Sequence, residues 1–282
     1  MILWLASYPK SGNTWLRFFL LSLFLKDKSL SLSDLKNINQ FPTKSQYEKA
    51  GININSEDLN EVSKYWTIVQ KKINLDQKLR FFKTHNAYCK IANGFFTDIE
   101  NTLGVIHIVR DPRNIISSIK NHYHHKKISE SKNFIFDENK GVSVNTFGKK
   151  DFALPQVIGS WKTHFNSWKN IKKNYLLIKY ENLINNPQNE FRKISLYIEN
   201  LVNIKFTESQ IQNAIDSSCF YNMQKKEEIE GFSESVIDPK TGKNKKFFFL
   251  GPKNDWRKIV DEKTIYEINK KFKLEMKELG YI

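Results

Sequence analysis

Cysteine is nearly absent: Cys89 and Cys219 are the only two in 282 residues, and they form neither a C-x-x-C pair nor a metal-ligand spacing. That scarcity argues against a disulfide framework and a zinc site, and it makes a reducing cytoplasm the default expectation. No basic leader precedes the N-terminal apolar run, so a signal peptide is not expected. No apolar run is long enough to cross a bilayer; Trp15 to Leu25 is too short and carries Arg17, and reads as a buried helix. Repeats, low-complexity linkers and nucleic-acid recognition modules are also lacking. So is the nucleotide triphosphatase loop G-x-x-x-x-G-K-[ST], with its lysine after the last glycine and its metal-binding hydroxyl. Acidic residues are the scarcer charge: Lys+Arg 45 against Asp+Glu 30 leaves +15. That balance suits an anionic ligand or polymer, or a lysine-rich solvated surface.

What is present starts at the N-terminus. The apolar run Ile2 to Ala6 leads straight into Ser7-Tyr8-Pro9-Lys10-Ser11-Gly12-Asn13-Thr14-Trp15. This reads as a buried strand, a turn punctuated by Pro9 and Gly12, and the start of an apolar helix. Such a junction aims unpaired N–H groups and the positive helix end at one point, which favours a phosphate or sulfate. Lys10 adds a mobile cation, and Ser11, Asn13 and Thr14 add neutral donors. Further strands are expected at Leu79–Lys83, Val105–Val109 and Tyr175–Tyr180. Helical stretches fall at Ser56 to Lys72, Pro112 to His125, Gln156 to Ile171 and Pro187 to Glu199. Strands alternating with helices predict an α/β fold with a central parallel sheet flanked by helices on both faces, its ligands at the carboxyl ends of the strands.

Two of those strand ends carry chemistry. The second runs into Thr84-His85-Asn86, where a histidine can act as general base or be a satisfied structural residue. The third runs into Arg110-Asp111-Pro112-Arg113. Arg110 can grip a phosphate with two prongs, and Ser118, about two helical turns on, can donate from the same face. Arg113 is a surface residue or the partner of a nearby acid. His122, His124 and His125 crowd together without a defined metal spacing, and no metal is expected.

The nonapeptide resembles the first signature, Y-P-K-S-G-[TN]-T-W, of the sulfotransferases that use 3′-phosphoadenosine 5′-phosphosulfate (PAPS). That resemblance implies a single P-loop-like domain over residues 1–282, with PAPS as co-substrate and no metal. It implies that Lys10, Ser11, Gly12, Asn13 and Thr14 cradle the 5′-phosphosulfate while Trp15 stacks on the adenine. Lys83-Thr84-His85 resembles the family's K-[TVS]-H. On that likeness His85 deprotonates the acceptor, Lys10 neutralises the leaving group and Lys83 is a second cation. Arg110 and Ser118 keep the spacing of the family's 3′-phosphate motif. Tyr180-Glu181-Asn182-Leu183 resembles the segment whose tyrosine contacts the adenine, and Ser218-Cys219-Phe220 resembles T-S-F, making Ser218 and Phe220 further adenine contacts. Gly159-Ser160-Trp161 with His164 and Trp168 matches a helix of mostly structural role.

One signature departs. The family's R-K-G-x-x-G-D-W aligns with Phe249 to Trp256, which keeps Gly251, Asp255 and Trp256 but has Phe249 and Leu250 where the arginine and lysine stand. Lys243, Lys245, Lys246 and Lys253 lie near enough in sequence to substitute. The family's dimerisation signature is missing, so the oligomeric state is open. Phe41 to Gln70 and His124 to Leu154 are expected to face the acceptor, with Tyr47, Tyr65, Trp66, Phe134, Phe136 and Phe147 among many lysines. That suits a small phenol, a glycan or a glycolipid offering a hydroxyl or amine. A nucleotide or sugar kinase on a similar sheet is the alternative, and no nucleic-acid partner is expected.

Overall fold

Four parallel strands form the central sheet in the order β2-β1-β3-β4: β1 (Ile2–Ser7), β2 (Arg80–Thr84), β3 (Thr102–Val109) and β4 (Tyr175–Lys179). The computed structural model describes residues 1–25, 30–54, 58–142, 153–238 and 241–282. β1 pairs in parallel with β2 on one side and β3 on the other. All six of its residues are buried, as expected of a strand with both edges paired and both faces covered. The longer helices used below are α1 (Asn13–Leu25), α2 (Pro112–His122), α3 (Trp161–Lys169), α4 (Pro187–Val202), α5 (Glu208–Ser218) and α6 (Phe220–Glu230). Parallel strands joined through helical connections make this an α/β fold.

The chain divides into two compact units, each assembled from separate stretches. The first comprises Met1–Tyr8, Ile38–Ile108 and Asp137–Leu177. Its core is aromatic: Trp4, Phe41, Phe82, Phe96, Trp66 and Trp168 pack together, with Trp4 and Phe96 ring centroids 5.1 Å apart. The buried indoles keep hydrogen-bond partners where they can: Trp4 Nε1 donates to Thr102 Oγ1 (3.1 Å), and Trp168 Nε1 to the Asn86 carbonyl (2.9 Å). Tyr47 and Trp66, expected to face an acceptor, are core residues instead; the Tyr47 hydroxyl donates to the Val62 carbonyl (2.7 Å). Local sequence cannot separate an aromatic that lines a site from one that fills a core. Phe147 and Ser56 lie outside the described residues.

The second unit comprises Pro9–Asn37, Val109–Phe136 and Ile178–Ile282. The buried face of α1 packs on α5, and Phe19 stacks on Phe191 of α4 at 4.1 Å. Buried Arg17 donates to Glu234 (2.6 Å) and to the Leu35 carbonyl (2.6 Å), so this charge within an apolar helix is paired. In the first unit, the helix expected from Gln156 starts later, at Trp161. Gln156–Val157 pairs instead with Gly141–Val142 as a two-stranded ribbon. Gly159 (φ +66) then turns the chain, and Ser160 caps α3 by accepting from the Thr163 N–H.

Candidate functional site

Within the second unit, the chain leaves Pro9 through two left-handed residues, Lys10 (φ +67) and Gly12 (φ +106), before α1 begins at Asn13. The N–H groups of Trp15 and Leu16 both reach back to the Gly12 carbonyl (3.0 and 3.3 Å), closing the first turn. The leading N–H groups of a helix have no partner within it, and no acidic side chain occupies this first turn. Ser11 Oγ and Trp15 Nε1 are buried without a hydrogen-bond partner. Buried polar atoms are nearly always satisfied, and these two donors beside a positive helix end could serve an anion with acceptor oxygens.

Tyr180 organises this cradle. It is the first residue of the short helix Tyr180–Asn185, and its ring lies against Gly12, where an added Cβ would stand 2.6 Å from Cδ2. Its face carries the Arg110 guanidinium at 4.2 Å, and its edge meets Trp15 with centroids 5.9 Å apart. Arg110 Nη1 in turn donates to the Lys10 carbonyl (3.0 Å) and approaches Ser118 Oγ (3.4 Å). Lys10, Gly12, Trp15, Arg110, Ser118 and Tyr180 are thus brought into one cluster from three separated stretches of chain.

The turn presenting Arg110 is braced from behind. Asp111 caps α2, accepts from the Arg113 N–H and forms a buried ion pair with the Arg113 guanidinium (2.7 Å). Arg113 therefore has an acid partner and no surface role; it also stacks on Trp256 (4.1 Å) and donates to the Tyr281 carbonyl (2.8 Å). Glu181 accepts from the Asp111 N–H (2.9 Å) and the Tyr281 hydroxyl (2.8 Å). Burial pushes its carboxyl above the usual range, and burial pushes the Tyr180 and Tyr281 hydroxyls up as well. The sequence offers no role for Asn114, Ser117 and Asn254, which join α2 to the C-terminal segment. Ser117 donates to Asn254 Oδ1 (2.9 Å), Asn254 Nδ2 to the Asn114 carbonyl (2.8 Å), and the Trp256 N–H to Asn114 Oδ1 (3.0 Å). Only their contacts across 140 residues of sequence reveal them.

Gly251 (φ +50) is required by Phe220: an added Cβ would lie 2.3 Å from the end of that ring. Ser218, buried at the end of α5, donates to the Ile215 carbonyl (3.2 Å). Phe249 is exposed and Leu250 half-buried, so neither belongs to the core. Of the substitute lysines, Lys245 approaches Asp238 (3.8 Å), Lys246 pairs with Glu228, and Lys243 and Lys253 are exposed.

In the first unit, Lys83 and His85 sit at the carboxyl end of β2, both half-buried. His85 Nδ1 lies 2.7 Å from the Ser7 carbonyl and 3.3 Å from Ser7 Oγ. A carbonyl can only accept, so Nδ1 carries the proton and the lone pair of the neutral ring is on Nε2. The His85 N–H donates to Gln156 Oε1 (3.1 Å), and His164 hydrogen-bonds the His85 backbone. Asn86 locks the next residue, accepting from the Val157 N–H (2.9 Å). Among the described residues, no group of three or more His, Cys, Asp or Glu could hold a metal ion, the crowded His122, His124 and His125 included. No described helix is long and apolar enough to cross a membrane.

A model of the sulfotransferase domain family matches residues 2–280. Mouse sulfotransferase 1B1 is 21% identical over 255 residues, covering 90% of this chain and 75% of the relative. Among solved structures, mouse sulfotransferase SULT7A1 complexed with PAP superposes with a TM-score of 0.59 at 18% identity, covering 97% of this chain and 83% of that one. Retinol dehydratase, in complex with androsterone and the inactive cofactor PAP, gives a TM-score of 0.60 at 17% identity, covering 98% and 80%.

Proposed function

Because this chain belongs to the sulfotransferase domain family, we propose that it moves a sulfuryl group from PAPS to a hydroxyl or amine of an acceptor, within one domain spanning residues 1–282. The observation that carries the reading is the cradle cluster. A left-handed Lys10, a glycine pressed on Tyr180, orphaned Ser11 Oγ and an arginine shared between the loop and Ser118 are what a nucleotide with two separated anionic groups needs. The two solved relatives hold PAP, adenosine 3′,5′-bisphosphate, and the same ligand is proposed here.

Residues Lys10 to Thr14 would hold the 5′-phosphosulfate through N–H groups and hydroxyls, and Arg110 with Ser118 would hold the 3′-phosphate. Trp15, Tyr180, Ser218, Phe220 and the turn at Gly251 would enclose the adenine. The donor supplies an activated sulfuryl group: the bond from sulfur to the bridging oxygen breaks, and one from sulfur to the acceptor atom forms. Lys10 stabilises the negative charge left on that oxygen, and Lys83 adds a second cation. His85 takes the acceptor proton on Nε2, the orientation set by its Nδ1–H bond to the Ser7 carbonyl. The acceptor is proposed to be a small molecule, glycan or glycolipid with a free hydroxyl or amine. Cys89 and Cys219 are free thiols, and a cytoplasmic setting is proposed from that scarcity of cysteine.

Titration calorimetry with adenosine 3′,5′-bisphosphate against ATP tests the donor. The bisphosphate should bind at least about tenfold more tightly; tighter ATP binding would overturn the reading in favour of a kinase. Transfer of labelled sulfate from PAPS to a panel of alcohols, phenols, amines and glycans then identifies the acceptor. His85→Ala should abolish transfer to an unactivated alcohol while leaving bisphosphate affinity unchanged, and undiminished turnover would remove His85 from the mechanism.

A further inference from the structure

Residues 246–248 belong to no helix or strand, yet side chains grip their backbone at four of its six N–H and C=O groups. Glu227, on α6 and only 9% exposed, accepts from the Phe247 N–H (2.6 Å), the Phe248 N–H (2.9 Å) and the Ser235 hydroxyl (2.7 Å). Gln224 Nε2 donates to the Phe248 carbonyl (2.9 Å), and Asn121 Nδ2 to the Lys246 carbonyl (3.2 Å). What this grip holds in place is aromatic. The Phe247 ring lies 3.6 Å from Lys10 Nζ, face to cation. The Phe248 ring meets Phe220 edge-on, with centroids 6.2 Å apart, and Phe220 in turn fills the space at Gly251. One carboxylate therefore sets a run of contacts from Lys10 to Gly251, all inside the second unit.

We infer that Glu227 is a positioning residue: by holding the Phe247–Phe248 backbone it presses the Phe247 ring onto Lys10 and fixes that ammonium in the cradle before any donor arrives. Its catalytic meaning rests on the reading of Lys10 as the leaving-group cation; its geometry does not. The next residues, Phe249 and Leu250, have no charge with which a bound phosphate could draw the segment in, whereas the Glu227 carboxylate holds it with or without ligand. Two consecutive N–H groups converging on a charged acceptor are charge-assisted bonds, stronger than neutral ones. A cation seated on an aromatic face is held by a factor of about two to thirty over the free side chain, depending on how dry the contact is.

Competitive acetylation of the full-length protein with limiting acetic anhydride, read lysine by lysine by peptide mass spectrometry, tests the inference without any nucleotide. In Glu227→Gln and in Phe247→Leu, Lys10 should acetylate at least about threefold faster relative to the other lysines, while Phe247→Trp, which keeps an aromatic face, should stay near wild type. An unchanged Lys10 ratio in both loosening variants overturns the inference. So does an equal rise at every lysine in both, because the contact would then serve only the fold; if Glu227→Gln alone loosens the whole chain, Phe247→Leu decides. A second arm measures adenosine 3′,5′-bisphosphate affinity, which should weaken severalfold in Glu227→Gln. If the wild-type protein does not bind that nucleotide, the donor reading fails, and the acetylation ratios still decide the role of Glu227.

Discussion

Replacing Arg110 by alanine separates the two phosphates of the proposed donor. The guanidinium donates to the Lys10 carbonyl (3.0 Å), approaches Ser118 Oγ (3.4 Å) and stacks on Tyr180 (4.2 Å), so its remaining donors are presented from a fixed plane. A hydrogen bond to a charged group is worth about 1.5–3 kcal/mol, so losing the contact to a 3′-phosphate should weaken adenosine 3′,5′-bisphosphate by roughly 10- to 150-fold. Arg110→Ala also frees the Lys10 carbonyl, a neutral acceptor whose partner is worth about 1 kcal/mol. Adenosine 5′-phosphosulfate, which lacks the 3′-phosphate, should therefore weaken only about fivefold. Ser118→Ala leaves the loop tether intact and loses one hydrogen bond to the same charged group, so it should cost the bisphosphate alone roughly 10-fold or more. Calorimetry with both nucleotides on both variants, with thermal unfolding as a control for fold, gives four ratios. Equal weakening of the two nucleotides by Arg110→Ala, with Ser118→Ala silent, would refute the assignment of the 3′-phosphate to this pair.

Other perturbations probe the cradle, the buried histidines and the anomalous C-terminal motif. Gly12→Ala would force a Cβ to 2.6 Å from Tyr180 Cδ2 at φ +106, at a cost of about 1–3 kcal/mol; wild-type Tm and bisphosphate affinity in this variant would remove the Gly12–Tyr180 contact from the cradle. Burial holds the His107 imidazole well below its ordinary value and brings His164 down to about 3. Below about pH 6.5 the unfolded chain binds protons that these buried rings refuse, so stability is full above that pH and falls as pH drops, by about 1.4 kcal/mol per pH unit for each histidine. Urea unfolding between pH 7.5 and pH 5 should show that slope, and His107→Gln should remove about half of it, leaving the share of His164; an identical slope in the variant would assign the acid sensitivity elsewhere. Phe249→Arg combined with Leu250→Lys should tighten the bisphosphate by about 1–2 kcal/mol if the segment faces the 3′-phosphate, since Lys245 and Lys246 already face acids. Unchanged affinity would show that this segment does not reach the phosphate.

The class of fold was legible in the sequence, and so were the residues proposed for the site. Runs such as Ile2–Ala6 and Val105–Val109 announce buried strands because a parallel strand must be apolar on both faces, and they appear within a residue or a few of the observed bounds. Pro9, Lys10 and Gly12 announce the turn before α1 because backbone geometry there is local. The eight-residue spacing of Arg110 and Ser118 survives as a contact because two helical turns return to the same face. Other features follow from packing between distant segments. That Tyr47 and Trp66 fill a core, that Asn254 and Ser117 tie the C-terminal segment to α2, and that Glu227 reaches Phe247 across 20 residues cannot be read locally. An aromatic ring has the same sequence signature whether it covers a core or a ligand, and a carboxylate shows no sign in sequence of which N–H groups it will meet. Those outcomes depend on which surfaces the packed helices bring together, and on the cost of leaving a buried donor or charge without its partner.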